Sequence, residues 1–107
     1  MDELRDPAEL EARLGAGRKS VVFFAMSGCP YCVPYQGRFA ELAASRLDLD
    51  FLRVSLDDPR SPLWEKYAIG AVPAFIAFER GGIVARADSI LALGLPRRRW
   101  NEFLAAL

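Results

Sequence analysis

Ser20-Val21-Val22-Phe23-Phe24-Ala25-Met26-Ser27-Gly28-Cys29-Pro30-Tyr31-Cys32 is the stretch on which the reading of this chain turns. Residues 20–26 form an unbroken apolar run rich in β-formers, the pattern of a strand buried on both faces. Ser27 and Gly28 break it. From Pro30 onward, Tyr35, Phe39, Leu42 and Ala43 fall on one face at helical spacing, which predicts a helix running to about Arg46. Pro34 sits in its first turn, where a missing N–H does little harm, and Gly37 weakens its middle. A buried strand therefore feeds directly into a helix, with two cysteines at the junction.

Outward from that nucleus the signals are short and regular. Upstream, Asp6-Pro7-Ala8-Glu9 reads as a capped helix start, with Leu10 and Leu14 on one face and Gly15 and Gly17 as its end. Downstream, residues 50–56 alternate, setting Phe51, Arg53 and Ser55 against Leu52, Val54 and Leu56; this is a second strand. Ser61-Pro62 opens a short helix through Trp64 and Tyr67, which Ile69-Gly70 closes. Residues 74–80 and 83–87 read as two strands of a hairpin, its tight turn supplied by Gly81-Gly82. Pro96 opens a last helix, on which Trp100, Phe103, Leu104 and Leu107 share a face.

The predicted order is thus α-β-α-β-α-β-β-α. A βαβ unit demands a parallel pair and the final hairpin an antiparallel one. A mixed four-stranded α/β sheet flanked by helices satisfies both.

At 107 residues the chain is expected to form one domain, residues 1–107, with enough apolar residues for a core. A formal net charge of zero argues against a nucleic-acid partner. No apolar run approaches the roughly 20 residues that span a bilayer, so no membrane association is expected. The acidic, polar beginning Met1-Asp2-Glu3-Leu4-Arg5-Asp6 is unlike a signal peptide, and a cytoplasmic, monomeric protein is the default. Histidine is absent, which removes Ser-His and Cys-His pairs and histidine-ligated metals. Chemistry must come from thiols, carboxylates, Tyr, Lys or Arg.

Cys29 and Cys32 are the only cysteines. Their place at a helix start puts free N–H groups and the positive end of the helix dipole where they favour a thiolate at Cys29. The thiolate is the nucleophile, so Cys29 is the candidate attacking residue. Cys32, one turn inward, is the candidate resolving residue, and Pro30 stiffens the turn between them. A structural disulfide across so short a loop adds little stability, and two cysteines without histidine leave a zinc site incomplete. No metal and no bound cofactor are expected.

With both halves of the site in view, the chain resembles the thioredoxin superfamily over nearly its whole length. Val21-Val22-Phe23-Phe24-Ala25 leading into Cys29-Pro30-Tyr31-Cys32 is one half. The segment from Lys66 to Phe75, Lys-Tyr-Ala-Ile-Gly-Ala-Val-Pro-Ala-Phe, is the other. The hairpin from Phe78 to Val84 and the helix around Trp100 follow in the family's order. The resemblance implies a cis proline at Pro73 packed beside the cysteines, and backbone groups of Val72 offered to an extended substrate. It implies thiol–disulfide exchange with disulfide-containing client proteins, the electrons returning from a reductase or a low-molecular-weight thiol.

Three departures set a subtype. Gly28 stands where thioredoxins carry Trp. Phe23 stands where they bury an acid. Cys-Pro-Tyr-Cys is the usual glutaredoxin sequence, yet the glutathione-binding Gly-Gly motif of glutaredoxins is missing, Gly81-Gly82 belonging to the hairpin instead. Two alternatives stay open: a glutathione-dependent glutaredoxin-like reductase, one form of which shares an iron–sulfur cluster between chains, and a thioredoxin-fold binding module whose cysteines do not turn over. Tyr31 is expected to face the groove and touch substrate. The apolar residues 89–95 either line that groove or pack beneath a loop. Arg97-Arg98-Arg99 reads as a solvated face or a patch for an acidic partner.

Overall fold

The computed structural model describes residues 2–107 and runs β1 (Asp2–Leu4), α1 (Pro7–Leu14), β2 (Ser20–Ala25), α2 (Val33–Ser45), β3 (Asp50–Ser55), α3 (Leu63–Lys66), β4 (Ala74–Glu79), β5 (Gly82–Asp88) and α4 (Arg97–Ala105). The strands form one sheet in the order β1-β3-β2-β4-β5. β1 and β2 lie parallel to β3, while β4 is antiparallel to both β2 and β5. The sheet is mixed, as the sequence predicts. With neighbours on both sides and helices on both faces, every residue of β2 is buried.

The sheet has five strands among the described residues, not four. The additional strand is β1, where Asp2 pairs with Leu52, Glu3 with Arg53 and Leu4 with Val54. Asp and Glu are poor β-formers, and a three-residue segment offers no alternation to read. Backbone pairing to the open edge of β3, with Leu4 buried beneath it, makes this strand. A short, charged segment also suits a sheet edge.

The alternation in β3 sorts the interior into two layers. Phe51 joins a cluster with Tyr35 and Phe39 of α2 and Trp100 and Phe103 of α4. Leu52, Val54 and Leu56 join Leu10 and Leu14 of α1 and Leu63 of α3 on the other face. Asp6 caps α1, its carboxylate accepting from the Ala8 N–H at 2.9 Å, with Pro7 in the first helical position.

Two predicted boundaries shift. The hairpin turn is Arg80-Gly81, with φ of 53° and 79°, and Gly82 already pairs with Glu79. A two-residue loop with both central φ angles positive matches the twist of the flanking strands, and here Arg takes the first position. Helix α2 starts at Val33 rather than Pro30, because residues 29–32 form a turn of their own. The Cys32 N–H donates to the Cys29 carbonyl at 3.2 Å, and Cys32 then occupies the cap position.

Candidate active site

β2 ends at Ala25, and its continuation crosses the end of the sheet into α2. Gly28 makes that passage at φ +70°, a conformation that L side chains rarely adopt. Asp57, just after β3, grips the same loop: the Ser27 N–H and hydroxyl donate to its two carboxylate oxygens at 2.7 and 2.8 Å. These two bonds hold the Asp57 carboxyl below the usual carboxylate range, so it is anionic at neutral pH.

Cys29 and Cys32 are joined by a disulfide, with Cα atoms 5.3 Å apart. Their environments differ. Cys32 is fully buried at 0% exposure, whereas Cys29 is only partly buried. The first turn of α2 carries no acidic side chain, so nothing there offsets the helix's positive end. Opposite the pair stands the Val72–Pro73 peptide, which is cis. Sγ of Cys29 lies 3.8 Å from the Val72 carbonyl oxygen. The Ser89 hydroxyl donates to the Pro73 carbonyl and ties this turn to the end of β5. Gly28, Cys29, Pro30, Tyr31, Cys32, Val72 and Pro73 thus come together where the strands of the first βαβ unit end.

Residues 90–94 form a compact turn over the dipeptide between the cysteines. The Ile90 N–H donates to the Gly94 carbonyl at 2.8 Å, and the Gly94 N–H returns to Ile90 at 3.0 Å. The Tyr31 hydroxyl donates to the Ala92 carbonyl at 2.8 Å. Tyr31 is half-exposed but tethered rather than a free side chain. The loop turns Leu91 and Leu93 outward, at 76% and 72% exposure. Its far end is pinned by Tyr35, whose buried hydroxyl donates to the Leu95 carbonyl at 2.8 Å.

Gly94 is indispensable to this contact. A Cβ there would lie 2.6 Å from Cδ1 of Tyr31, and its φ is +84°. Gly94→Ala is expected to cost about 1–3 kcal/mol and to push the Tyr31 ring off the loop. Urea denaturation measures the first; a rise in Tyr31 accessibility to nitration measures the second.

Sequence reasoning does not bring Arg53, which lines the cavity beside Cys29, or Asp57 to the site. Arg53 left a trace in the sequence, as a charge on a face shared with Phe51. Asp57 left none beyond a turn signal, because its role needs the loop to arrive beside it. The Arg97–Arg99 triplet is largely occupied: Arg98 pairs with Glu102 at 3.6 Å, and Arg99 donates to the Asp88 carbonyl at 2.7 Å. Among the described residues, no group of three or more His, Cys, Asp or Glu side chains comes together to hold a metal ion. No helix of the described residues is long and apolar enough to cross a membrane.

No protein-family model matches the chain. A curated thioredoxin of Mycoplasmoides gallisepticum is 30% identical over 104 residues, which span 97% of this chain and 99% of that protein. Among solved structures, Plasmodium falciparum thioredoxin superposes with a TM-score of 0.78 at 19% identity, covering 98% of this chain and 97% of that one. Chlamydomonas reinhardtii thioredoxin f2 gives 0.74 at 22% identity over 82% of each chain.

Proposed function

This chain belongs to the thioredoxin family and is a thiol–disulfide oxidoreductase, and from that premise we propose that it reduces protein disulfides with Cys29 attacking and Cys32 resolving. The difference in burial between the two sulfurs carries the assignment. Only Cys29 is open to a client, and only Cys32 is shielded from one.

The Cys29 thiolate displaces one sulfur of a client disulfide, which leaves as a thiolate and takes a proton from water. Cys32, deprotonated in turn, attacks Cys29 and releases the second client sulfur. Two electrons have then passed to the client, and the protein holds the Cys29–Cys32 disulfide. Val72 presents its backbone beside Cys29 to an extended client segment, and Pro73 shapes that edge. Tyr31 forms the side wall, and Gly28 and Pro30 fix the loop. A reductase or a low-molecular-weight thiol restores the dithiol.

Pro30-Tyr31, the dipeptide of glutaredoxins, makes this protein a weaker reductant than a typical thioredoxin. Equilibration with glutathione buffers should give a potential near about −200 to −230 mV, against roughly −270 mV for thioredoxin. A value at or below roughly −270 mV would remove the glutaredoxin-like element of the reading. Insulin reduction, run in parallel with thioredoxin reductase and with glutathione as the recycling system, tests the activity and identifies the donor. Failure of both systems, and of dithiothreitol, to support turnover would overturn the reductase assignment.

A further inference from the structure

A groove of about 450 Å3 runs between α2 and α4. The two helices lie parallel along it. Near their starts the Tyr35 hydroxyl donates to the Leu95 carbonyl, and near their ends the Arg46 guanidinium donates to the Leu107 carbonyl at 3.1 Å. Cys32 immediately precedes α2, so the groove has a cysteine end and a far end. Two guanidiniums stand at the cysteine end. Arg38 lies over the ring of Tyr35, 5.0 Å from its centroid, and exposed Arg97 is the first residue of α4. Among the described residues, neither guanidinium has a carboxylate or carbonyl partner. The arginine triplet thus divides, because Arg98 and Arg99 are engaged and Arg97 is not. Buried Trp100 and half-buried Leu42 and Leu104 give the groove its apolar lining. Among the described residues, Glu41 is the one carboxylate that lines it, a turn beyond Arg38.

Two like charges at one mouth repel each other, and the first turns of both helices carry no acid to offset them. A carboxylate arriving between them relieves the repulsion and accepts charge-assisted hydrogen bonds from planar donors. The Tyr35 ring already orders Arg38, so less side-chain freedom is lost when an anion binds. Deeper in the groove the chemistry changes. Glu41 repels a second acid there, while Trp100, Leu42 and Leu104 gain by covering an apolar side chain. The occupant is therefore acidic toward the cysteines and apolar beyond. Arg38 stands roughly 7.5 Å along α2 from Val33, and an extended chain covers roughly 3.3–3.6 Å per residue. An acid about three to five residues from a client cysteine joined to Cys29 can span that distance.

We propose that the groove between α2 and α4 docks an acidic–apolar segment of the client, its carboxylates on Arg38 and Arg97 and its apolar side chain against Trp100, Leu42 and Leu104. The groove acts on binding alone and takes no part in the exchange of sulfurs. As a client site it rests on the Cys29–Cys32 exchange proposed above.

Two synthetic peptides with one internal disulfide test it. One is flanked on both sides by an acidic pair followed by leucine, the other by a lysine pair followed by leucine. Rates are taken relative to hydroxyethyl disulfide, which is too small to span from Cys29 to the groove. The wild-type protein should favour the acidic peptide about tenfold in kcat/KM, mostly through KM, and lose the preference as salt rises. Combining Arg38→Gln with Arg97→Gln should bring the two peptides within about twofold of each other, the change again in KM. Arg98→Gln, outside the groove, should keep the full preference. Should the double variant fail to fold, exposed Arg97→Gln alone should lose about half of the preference in logarithmic terms. A wild-type protein that treats both peptides alike overturns the proposal, as does a folded double variant that keeps the preference. A single-stranded oligonucleotide of equal charge that displaces the acidic peptide at lower concentration assigns the groove to nucleic acid and overturns it too. Failure of the exchange reading appears differently, as a wild-type protein that does not turn over hydroxyethyl disulfide. Titration with the acidic peptide, followed by the fluorescence of Trp100, then still reads the docking.

Discussion

Cys32→Ser should leave client proteins covalently trapped on Cys29, and Cys29→Ser should trap none. Both variants should lose insulin reduction to background, a fall of at least about a hundredfold, because each removes one of two obligatory sulfurs. The asymmetry is the informative part. In Cys32→Ser the outer thiolate still attacks, but the serine hydroxyl at the buried position cannot displace the client sulfur, so the mixed disulfide persists. In Cys29→Ser the remaining thiol is fully buried and cannot meet a client. Non-reducing electrophoresis against a disulfide-bonded client distinguishes the two. Equal trapping by both variants, or trapping by Cys29→Ser alone, would reverse the assignment of roles.

Local signals made most of this architecture legible. β2 announces itself as an apolar run because it is central in the sheet, and β3 announces its two-faced burial by alternation. The cysteines are legible because their chemistry needs a strand end and a helix start, both written in adjacent residues. What the sequence hides is non-local. β1 exists because β3 leaves an edge open, and nothing in Asp2-Glu3-Leu4 says so. The grip of Asp57 on Ser27 joins residues 30 apart, and that of Tyr31 on Ala92 joins residues 61 apart. Apolar character in residues 89–95 was visible, but whether it lined the groove or packed under a loop depended on one hydrogen bond and one glycine. Gly94 and Leu95 are buried, while Leu91 and Leu93 project into solvent.

Phe75→Ala should destabilise the protein by about 3–5 kcal/mol, the range for deleting a fully buried phenylalanine. Phe75 is 0% exposed and lies two residues beyond Pro73, at the start of β4. Its ring stacks on Phe23 at 4.6 Å and meets Trp100 at 4.7 Å. Phe39 and Tyr35 of α2 follow at 5.7 and 5.8 Å. One ring therefore joins the central strand to both helices of this face, and β2, α2 and β4 are the elements that carry Cys29, Cys32 and Pro73 toward one another. Domains are stable by about 5–15 kcal/mol in total, so the loss is a large share, and the thermal midpoint should fall by more than about 10 °C. Phe75→Leu, which keeps most of the volume, should cost less than half as much, because what remains lost is ring contact rather than a cavity. Urea denaturation of the oxidised proteins reads both values under one set of conditions. A cost for alanine below about 1 kcal/mol would mean that the neighbouring rings close the gap. The site would then be held by its loops, through Asp57 and Tyr31, rather than by the layer beneath it.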